Sequence, residues 1–453
     1  MTYFATGFQL LLVIVGILVA RAAITTARTP QGAAAWVVFL VSFPLLAIPA
    51  FAIFGSVSRL NQTADDRHVH DATVDDAEGR LSALRAITDV PLRGGNDLRL
   101  LVNGRATFDA IFAAIEAAEH EIVVQFYIIR SDETGLALQS RLMEAAARGV
   151  RVRVLCDLVG SLLLGRRYTR TLQQAGVEIR GIPGPHRALG RIGLNFRNHR
   201  KTLVVDGWSG FTGGLNVGNE YLDGGKHFET WRDTHLAVQG PMAGQLREIF
   251  AADWEAVTGE RIGPSPVPAP TLAPGTRRGL VTGFGPTDRL ERGSLLLCGL
   301  AGLSRRRLWI ATPYLVPHTD LLTALQLAAL RGVDVRILIP EPVERRLVWY
   351  ASRSHVPMLR AVGVEVLAYR PGFMHQKVML IDDDIASVGT INLDIRSALL
   401  NFESTALVED VDFAAEVEAM LEADFARARP LDDPLPWHVR LLAPVARVFG
   451  PLL

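Results

Sequence analysis

Two eighteen-residue stretches carry the same polar residues at the same spacing. HRKTLVVDGWSGFTGGLN holds His199, Lys201, Asp206, Gly213, Gly214 and Asn216. HQKVMLIDDDIASVGTIN holds His375, Lys377, Asp382, Gly389, Thr390 and Asn392. In both, Lys follows His by two positions, Asp follows Lys by five and Asn follows Asp by ten. A lone buried histidine is ordinarily a core residue, but packing does not explain a whole set repeated twice. The chain has three lysines against 44 arginines, and two of the three, Lys201 and Lys377, fall inside the repeat.

These residue types suit a tetrahedral anion. On a strand, positions i and i+2 share a face, so each His lies beside its Lys. The glycines that follow allow close backbone approach, and the Asn offers an amide donor. Two such sets facing one another surround a point with two imidazoles, two ammonium groups and two amides. One imidazole can attack phosphorus while the other, as imidazolium, protonates the leaving oxygen. The phosphohistidine is then released to an alcohol or to water. Lys201, Lys377, Asn216 and Asn392 would hold the non-bridging oxygens. No metal or other cofactor is required, because the lysines supply the positive charge, and no carboxylate cluster suited to magnesium is visible.

The surrounding sequence is duplicated. ARGVRVRVL at 147–155 matches LRGVDVRIL at 330–338, and AGVEI at 175–179 matches VGVEV at 362–366. His199 and His375 lie 176 residues apart, close to the offset of those pairs. Short β-branched runs alternate with apolar-periodic helical stretches, an α/β pattern with strands buried on both faces. The expected organisation is a first lobe at 96–262, a Pro-rich linker at 263–284 and a second lobe at 285–430. A polar linker at 61–95 precedes them, and an interfacial or docked segment at 431–453 follows.

Residues 4–20 and 32–54 contain no charge, and no acid occurs before Asp65. They read as a two-helix transmembrane hairpin within residues 1–60. A cleaved signal peptide is the competing reading of the first stretch, but it lacks a basic n-region and a second apolar stretch follows. Arg21 and Arg28 in the connection would place it in the cytoplasm and the catalytic part outside. Hydrophobic residues are 49% and charged residues 21%, which agrees with a membrane protein. Lys plus Arg and Asp plus Glu are both 47, so the basic excess of a nucleic-acid binder is missing. Cys156 and Cys298 form no disulfide framework. His68 and His70 read as linker residues, and His120, His186, His227, His235, His318, His355 and His438 as structural or surface groups.

The paired HxKxxxxD motifs, with their downstream glycines and Asn, resemble those of the phospholipase D superfamily. Within it the chain is similar to the bacterial cardiolipin synthases. The resemblance includes the apolar hairpin, QFYIIR at 125–130, NFRNHRK at 195–201, GGLNVGNEY at 213–221, WRDTHLAVQGP at 231–241 and NLDIRSALLNFE at 392–403. It implies two α/β lobes with the site at their interface, and His199, Lys201, Asp206, His375, Lys377 and Asp382 as the catalytic set. It implies membrane-bound phosphatidyl transfer between two phosphatidylglycerol molecules in the bacterial cell membrane, giving cardiolipin and glycerol, with no nucleic acid as partner. A hydrolytic phospholipase D, using water as acceptor, is the main alternative; a nuclease and an inactive scaffold fit less well. One departure is GGLN and GTIN where the superfamily most often has GSxN. Arg232 and Arg396 are candidates for headgroup binding or for ion pairing.

Each imidazole needs a carboxylate to fix its tautomer. Asp206 and Asp382 follow their histidines by an odd offset, which turns them to the other face of the strand. Asp233 and Glu403 open matching segments, DTHLAV and ESTALV, 34 and 28 residues after the histidines. The resemblance implies that each serves the opposite half: His199 with Glu403, His375 with Asp233. Replacing His375 by Ala should lower turnover by about 10²–10⁴-fold, since one imidazole cannot fill both roles. Near-normal rates in that variant would refute the two-histidine mechanism.

Overall fold

The computed structural model describes residues 2–26, 30–51, 79–182, 196–224, 228–267, 274–342, 344–431 and 434–450. His68, His70, His186 and His227 lie outside these, as do residues 61–78 of the first linker and 268–273 of the second.

The β-branched runs form strands. The first half has β1 (Arg93–Val102), β2 (Glu121–Phe126), β3 (Arg151–Asp157), β4 (Glu178–Ile182), β5 (Thr202–Val205), β6 (Ser209–Gly213) and β7 (Thr234–Gln239). They lie in the spatial order 4-3-2-5-6-7-1. The second half has β8 (Arg277–Phe284), β9 (Arg307–Ala311), β10 (Asp334–Pro340), β11 (Glu365–Tyr369), β12 (Val378–Ile381), β13 (Ile385–Gly389) and β14 (Asn401–Glu409). Its order is 8-14-13-12-9-10-11, the same pattern reversed, with β15 (Ala428–Pro430) on the outer edge. β1 and β8 pair antiparallel, with Arg93 opposite Gly279 and Asn96 opposite Arg277. The two arrays are therefore one continuous sheet.

Alternation along the strands assigns the layers. In β2, Ile122, Val124 and Phe126 face a core with α4 (Asn103–Glu116), α5 (Glu133–Ala147) and α6 (Arg166–Gln174). Val123 faces the other way. There it joins Phe250 and Trp254 of α7 (Pro241–Thr258). The second half repeats this with α8 (Arg292–Leu303), α9 (Thr319–Leu330) and α10 (Arg346–Arg360) on one face. Phe413, Val417 and Leu421 of α11 (Val411–Phe425) lie on the other, in the same core as Phe250 and Trp254. That shared core spans both halves, so neither buries its sheet alone.

The motif strands β5 and β12 are pinned at their ends. Asp206 and Asp382 have φ of 50° and 53°, the left-handed region that Asp tolerates. The Asp206 carboxylate accepts from the backbone N–H of Glu119, His120 and Glu121 at 3.0, 2.8 and 2.8 Å. Asp382 accepts from Arg305, Arg306 and Arg307 N–H and from Arg80 Nη2 at 2.6 Å. Both carboxylates sit beyond a four-residue strand from their lysines, roughly 13 Å along it. In these places the two carboxylates hold the register of β5 on β2 and of β12 on β9.

The boundaries differ from expectation at both linkers. Residues 80–88 are helical, with Leu81 and Leu84 in the core, and β1 begins at Arg93. The last eight residues of the expected 263–284 linker are the central strand β8. Its burial reflects GLVTGF, which packs between β1 and β14.

A separate unit contains α1 (Thr2–Thr26), α2 (Pro30–Ser42) and α3 (Pro44–Ala50). They pack through Ala23, Leu40, Ala47 and Phe51. The expected span at 32–54 is interrupted at Phe43, because Pro44 has no N–H to continue the helix. Among the described residues, no helix is long and apolar enough to cross a membrane. At the other terminus, α12 (Trp437–Val448) docks on α10 through Val439, Ala443 and Ala446. Its outward stripe exposes Trp437, Leu441, Val445 and Val448.

Candidate active site

The backbone itself brings the two motifs together. His199 N–H donates to Phe402 O at 2.9 Å, and His375 N–H donates to Arg232 O at 2.8 Å. Each acceptor immediately precedes a carboxylate, Glu403 or Asp233. The imidazoles follow: His199 Nδ1 lies 2.9 Å from Glu403 Oε2, and His375 Nδ1 lies 2.9 Å from Asp233 Oδ2. The pairs cross between the halves. With Nδ1–H donated to a carboxylate, each Nε2 is left for the reacting group.

Both acids are fully buried and further held. Glu403 accepts from the Thr390 hydroxyl at 2.5 Å and from Asn401 Nδ2 at 3.2 Å. Asp233 accepts from its neighbour Thr234 N–H at 2.8 Å. The departure from GSxN has a local reason in the first half. A Cβ at Gly214 would lie 2.0 Å from Asp233 Oδ1, so glycine leaves that carboxylate its place. In the second half Thr390 supplies a hydroxyl that the longer Glu403 reaches.

Lys201 and Lys377 share the face of their histidines. Lys201 Nζ donates to His199 O at 2.6 Å; Lys377 Nζ donates to His375 O and lies 3.0 Å from both ring nitrogens. Asn216 accepts from Ile128 N–H at 3.1 Å and donates to Tyr221 Oη at 3.2 Å. Asn392 donates to Asp394 at 3.0 Å, while its Oδ1 is buried without a partner. Tyr127 stands edge-on to His199, with ring centroids 5.1 Å apart; Trp231 lies 5.2 Å from His375. Among the described residues, no group of three or more His, Cys, Asp or Glu is arranged to hold a metal ion.

Burial dominates the titration of this cluster. It lowers His199 to about 4, with Glu403 opposing and Lys201 reinforcing the shift. It lowers His375 to about 3, reinforced by Lys377 and opposed by Asp233. It brings Lys201 to about 7 and Lys377 to about 8. Burial pushes Asp233 and Glu403 up, but their histidines and the lysines outweigh it and hold both below the usual carboxylate range. Below about pH 7 two carboxylates and two ammonium groups balance, beside imidazoles that burial keeps neutral. An arriving phosphodiester brings the one negative charge that makes a single imidazolium favourable.

Similarity to known proteins follows this geometry. The family model described as cardiolipin synthase, PLD-like domain, matches residues 111–254 and 297–425. Cardiolipin synthase A of Pseudomonas putida (strain W619) is 40% identical over 475 residues, covering 99% of this chain and 98% of its own length. Cardiolipin synthase A of Pseudomonas aeruginosa (strain LESB58) is 41% identical over 97% of this chain and 94% of its own. The chain belongs to the PLD-like cardiolipin synthase family. Phosphatidylserine synthase of Haemophilus influenzae Rd KW20 has a TM-score of 0.60 at 16% identity, over 82% of this chain and 97% of its own. Polyphosphate kinase of Porphyromonas gingivalis has a TM-score of 0.52 at 14% identity, over 78% and 53%. At those identities the likeness concerns the fold alone.

In this family member a second layer, which the motif reading missed, fixes the crossed pairs. Asp424 on α11 takes Arg232 bidentately at 2.9 and 2.7 Å and Gln376 at 2.7 Å; Arg232 Nη1 donates to Asp233 O at 2.6 Å. Asp253 on α7 takes Arg200 at 2.5 Å, Asn198 at 2.9 Å and Gln125 at 2.6 Å; Arg200 Nε donates to Glu403 O at 3.1 Å. Arg232 is buried and fully engaged, so it is neither a surface pair nor a headgroup ligand; Arg396 is half-buried in the helix Ile395–Leu399. The signal was present: Ala-Asp-aromatic recurs at 252–254 and 423–425.

Ammonium groups that titrate near neutrality give the site an alkaline limit. The ordinary lysine value is 10.5, and the charged forms of Lys201 and Lys377 are lost as pH rises through about 7 and 8. In the free enzyme kcat/KM should fall over that range, as a property of the coupled pair. A profile flat to pH 10 would contradict the lowered lysines.

Proposed function

We propose that this chain is a cardiolipin synthase that transfers a phosphatidyl group between two phosphatidylglycerol molecules. The observation that carries the reading is the pair of crossed His–carboxylate contacts at 2.9 Å, set beside two buried lysines in a chain matching cardiolipin synthases over nearly its full length. One Nε2 attacks the phosphorus of the first lipid, and the P–O bond to glycerol breaks. The other imidazole, as imidazolium, gives that oxygen its proton. It then takes the proton of the second lipid's terminal hydroxyl as that oxygen forms a new O–P bond and the N–P bond breaks. Atoms balance as two phosphatidylglycerols giving one cardiolipin and one glycerol. Lys201 and Lys377, with Asn216 and Asn392, hold the non-bridging oxygens; Asp233 and Glu403 orient the imidazoles. Purified protein given phosphatidylglycerol should yield cardiolipin and glycerol in equal amounts. Phosphatidic acid as the main lipid product would instead establish a hydrolase.

Membrane attachment is part of the same proposal. The N-terminal helices turn Ala23, Leu40, Ala47 and Phe51 inward and leave Val13, Ile17, Leu18, Val41, Leu45 and Leu46 outward. Apolar side chains also protrude near the reaction centre: Leu162 and Leu163 are 77% and 72% exposed, in the loop whose Ser161 hydroxyl donates to Tyr127 O. With the outward stripe of α12, these suit an interfacial bilayer contact, and the N-terminal hairpin supplies the anchor in the bacterial cell membrane. Deleting residues 1–60 should turn carbonate-resistant membrane association into peripheral association. Carbonate resistance that survives the deletion would remove the hairpin from this role.

A further inference from the structure

The two motif asparagines have different surroundings. Asn216 accepts from Ile128 N–H and donates to Tyr221 Oη, so both ends of its amide are engaged. Asn392 donates to Asp394 Oδ2 at 3.0 Å, and its Oδ1 is buried without a donor. The difference begins two residues on, where Gly218 follows Asn216 and Asp394 follows Asn392.

Asp394 is buried as deeply as His375. Its Oδ1 accepts from Ser397 N–H at 2.6 Å, and the Ser397 hydroxyl, fully buried on the same turn, has no partner of its own. Burial pushes the Asp394 carboxyl up to about 6, with Glu403 reinforcing the shift, so it remains largely ionised at neutral pH. Each carboxylate oxygen keeps a lone pair beyond the donor it already holds. The cluster thus offers a carboxylate, an amide oxygen and a hydroxyl, none of them saturated.

It lies at the reaction centre. The segment from Thr390 to Asp394 starts at Glu403, to which the Thr390 hydroxyl donates at 2.5 Å, and Glu403 holds His199. Asp394 also acts electrostatically on Lys377, whose Nζ lies 3.0 Å from both ring nitrogens of His375. Unsaturated acceptors do not suit a phosphate oxygen, which is itself an acceptor; they suit a hydroxyl. In the transfer, the leaving glycerol oxygen and the incoming hydroxyl both lie in line with the N–P bond, on the far side of phosphorus, so one place receives both alcohols. Both alcohols carry a secondary hydroxyl beside the reacting oxygen.

We propose that Asp394, Asn392 and Ser397 form a hydroxyl-binding subsite that takes the secondary hydroxyl of the glycerol headgroup and selects a vicinal diol as leaving group and as acceptor. This rests on the synthase reading above. The hydroxyl donates to Asp394 and to Asn392 Oδ1, and the second amide hydrogen of Asn392 stays available to a non-bridging oxygen.

The test sets two alcohols against each other in the full-length protein, with phosphatidylglycerol as donor. Labelled glycerol is read as exchange into phosphatidylglycerol. Propane-1,3-diol, which lacks the secondary hydroxyl, is read as phosphatidylpropanediol. Both compete for the same phosphohistidine, so the product ratio does not depend on how fast that intermediate forms. At equal concentrations the wild-type protein should favour glycerol by about tenfold or more. Asp394→Asn and Asp394→Ser keep a residue that caps the following helix but lose the charge, and in both the preference should fall towards one. A wild-type ratio near one, an unchanged ratio in both variants, or an equal loss of both products in both variants would each overturn the subsite. Cardiolipin formed by the wild-type protein reports separately on the synthase reading. Phosphatidic acid as its sole product, with neither alcohol taken up, would remove that reading and the subsite with it.

Discussion

His199 and Glu403 meet across the boundary between the halves, and His375 and Asp233 meet in the opposite direction. This exchange sets the conditions for everything else. Neither half holds a histidine oriented by its own acid, so neither can run half of the reaction. The acids are fully buried, and taking away one partner of such a pair leaves an uncompensated charge that typically costs about 3–5 kcal/mol. The site therefore demands that both halves be present and correctly registered before either becomes stable. The shared core of α7 and α11 enforces that condition from the apolar side.

The pseudo-symmetry is looser in its side chains than in its backbone. Both histidines donate their N–H to the residue before the partner acid. Yet the arginine that grips the acid's carbonyl comes from the histidine side in one pair, as Arg200, and from the acid side in the other, as Arg232. The acids differ in length, and the residue facing each compensates, Thr390 against Glu403 and Gly214 against Asp233. Two different solutions hold two imidazoles in equivalent places, so the surroundings of the two histidines are not identical.

Much of this was legible in the sequence. The spacing of His199 and Lys201, repeated around His375 and Lys377, marks residues that lie side by side in the fold. An odd offset along a strand sufficed to turn Asp206 and Asp382 away from the histidines, and their carboxylates do anchor strand ends. What local pattern could not show was contact between distant segments. Asp253 and Asp424 sit late in helices whose periodicity explains them equally well as surface residues, and only the tertiary fold brings them to Arg200 and Arg232. The proline-rich composition before β8 hid the central strand, since RRGLVTGF is short and its partners lie far away in sequence.

The pairing of β1 with β8 carries one more consequence. Many two-lobed enzymes open and close about a hinge, letting one product out before the next reactant enters. Here the lobes are joined by a hydrogen-bonded ladder and a common apolar core, so a clamshell motion would have to tear the sheet at its middle. Any exchange of one bound group for another must then take place between two walls whose spacing the central strands and the shared core hold in common.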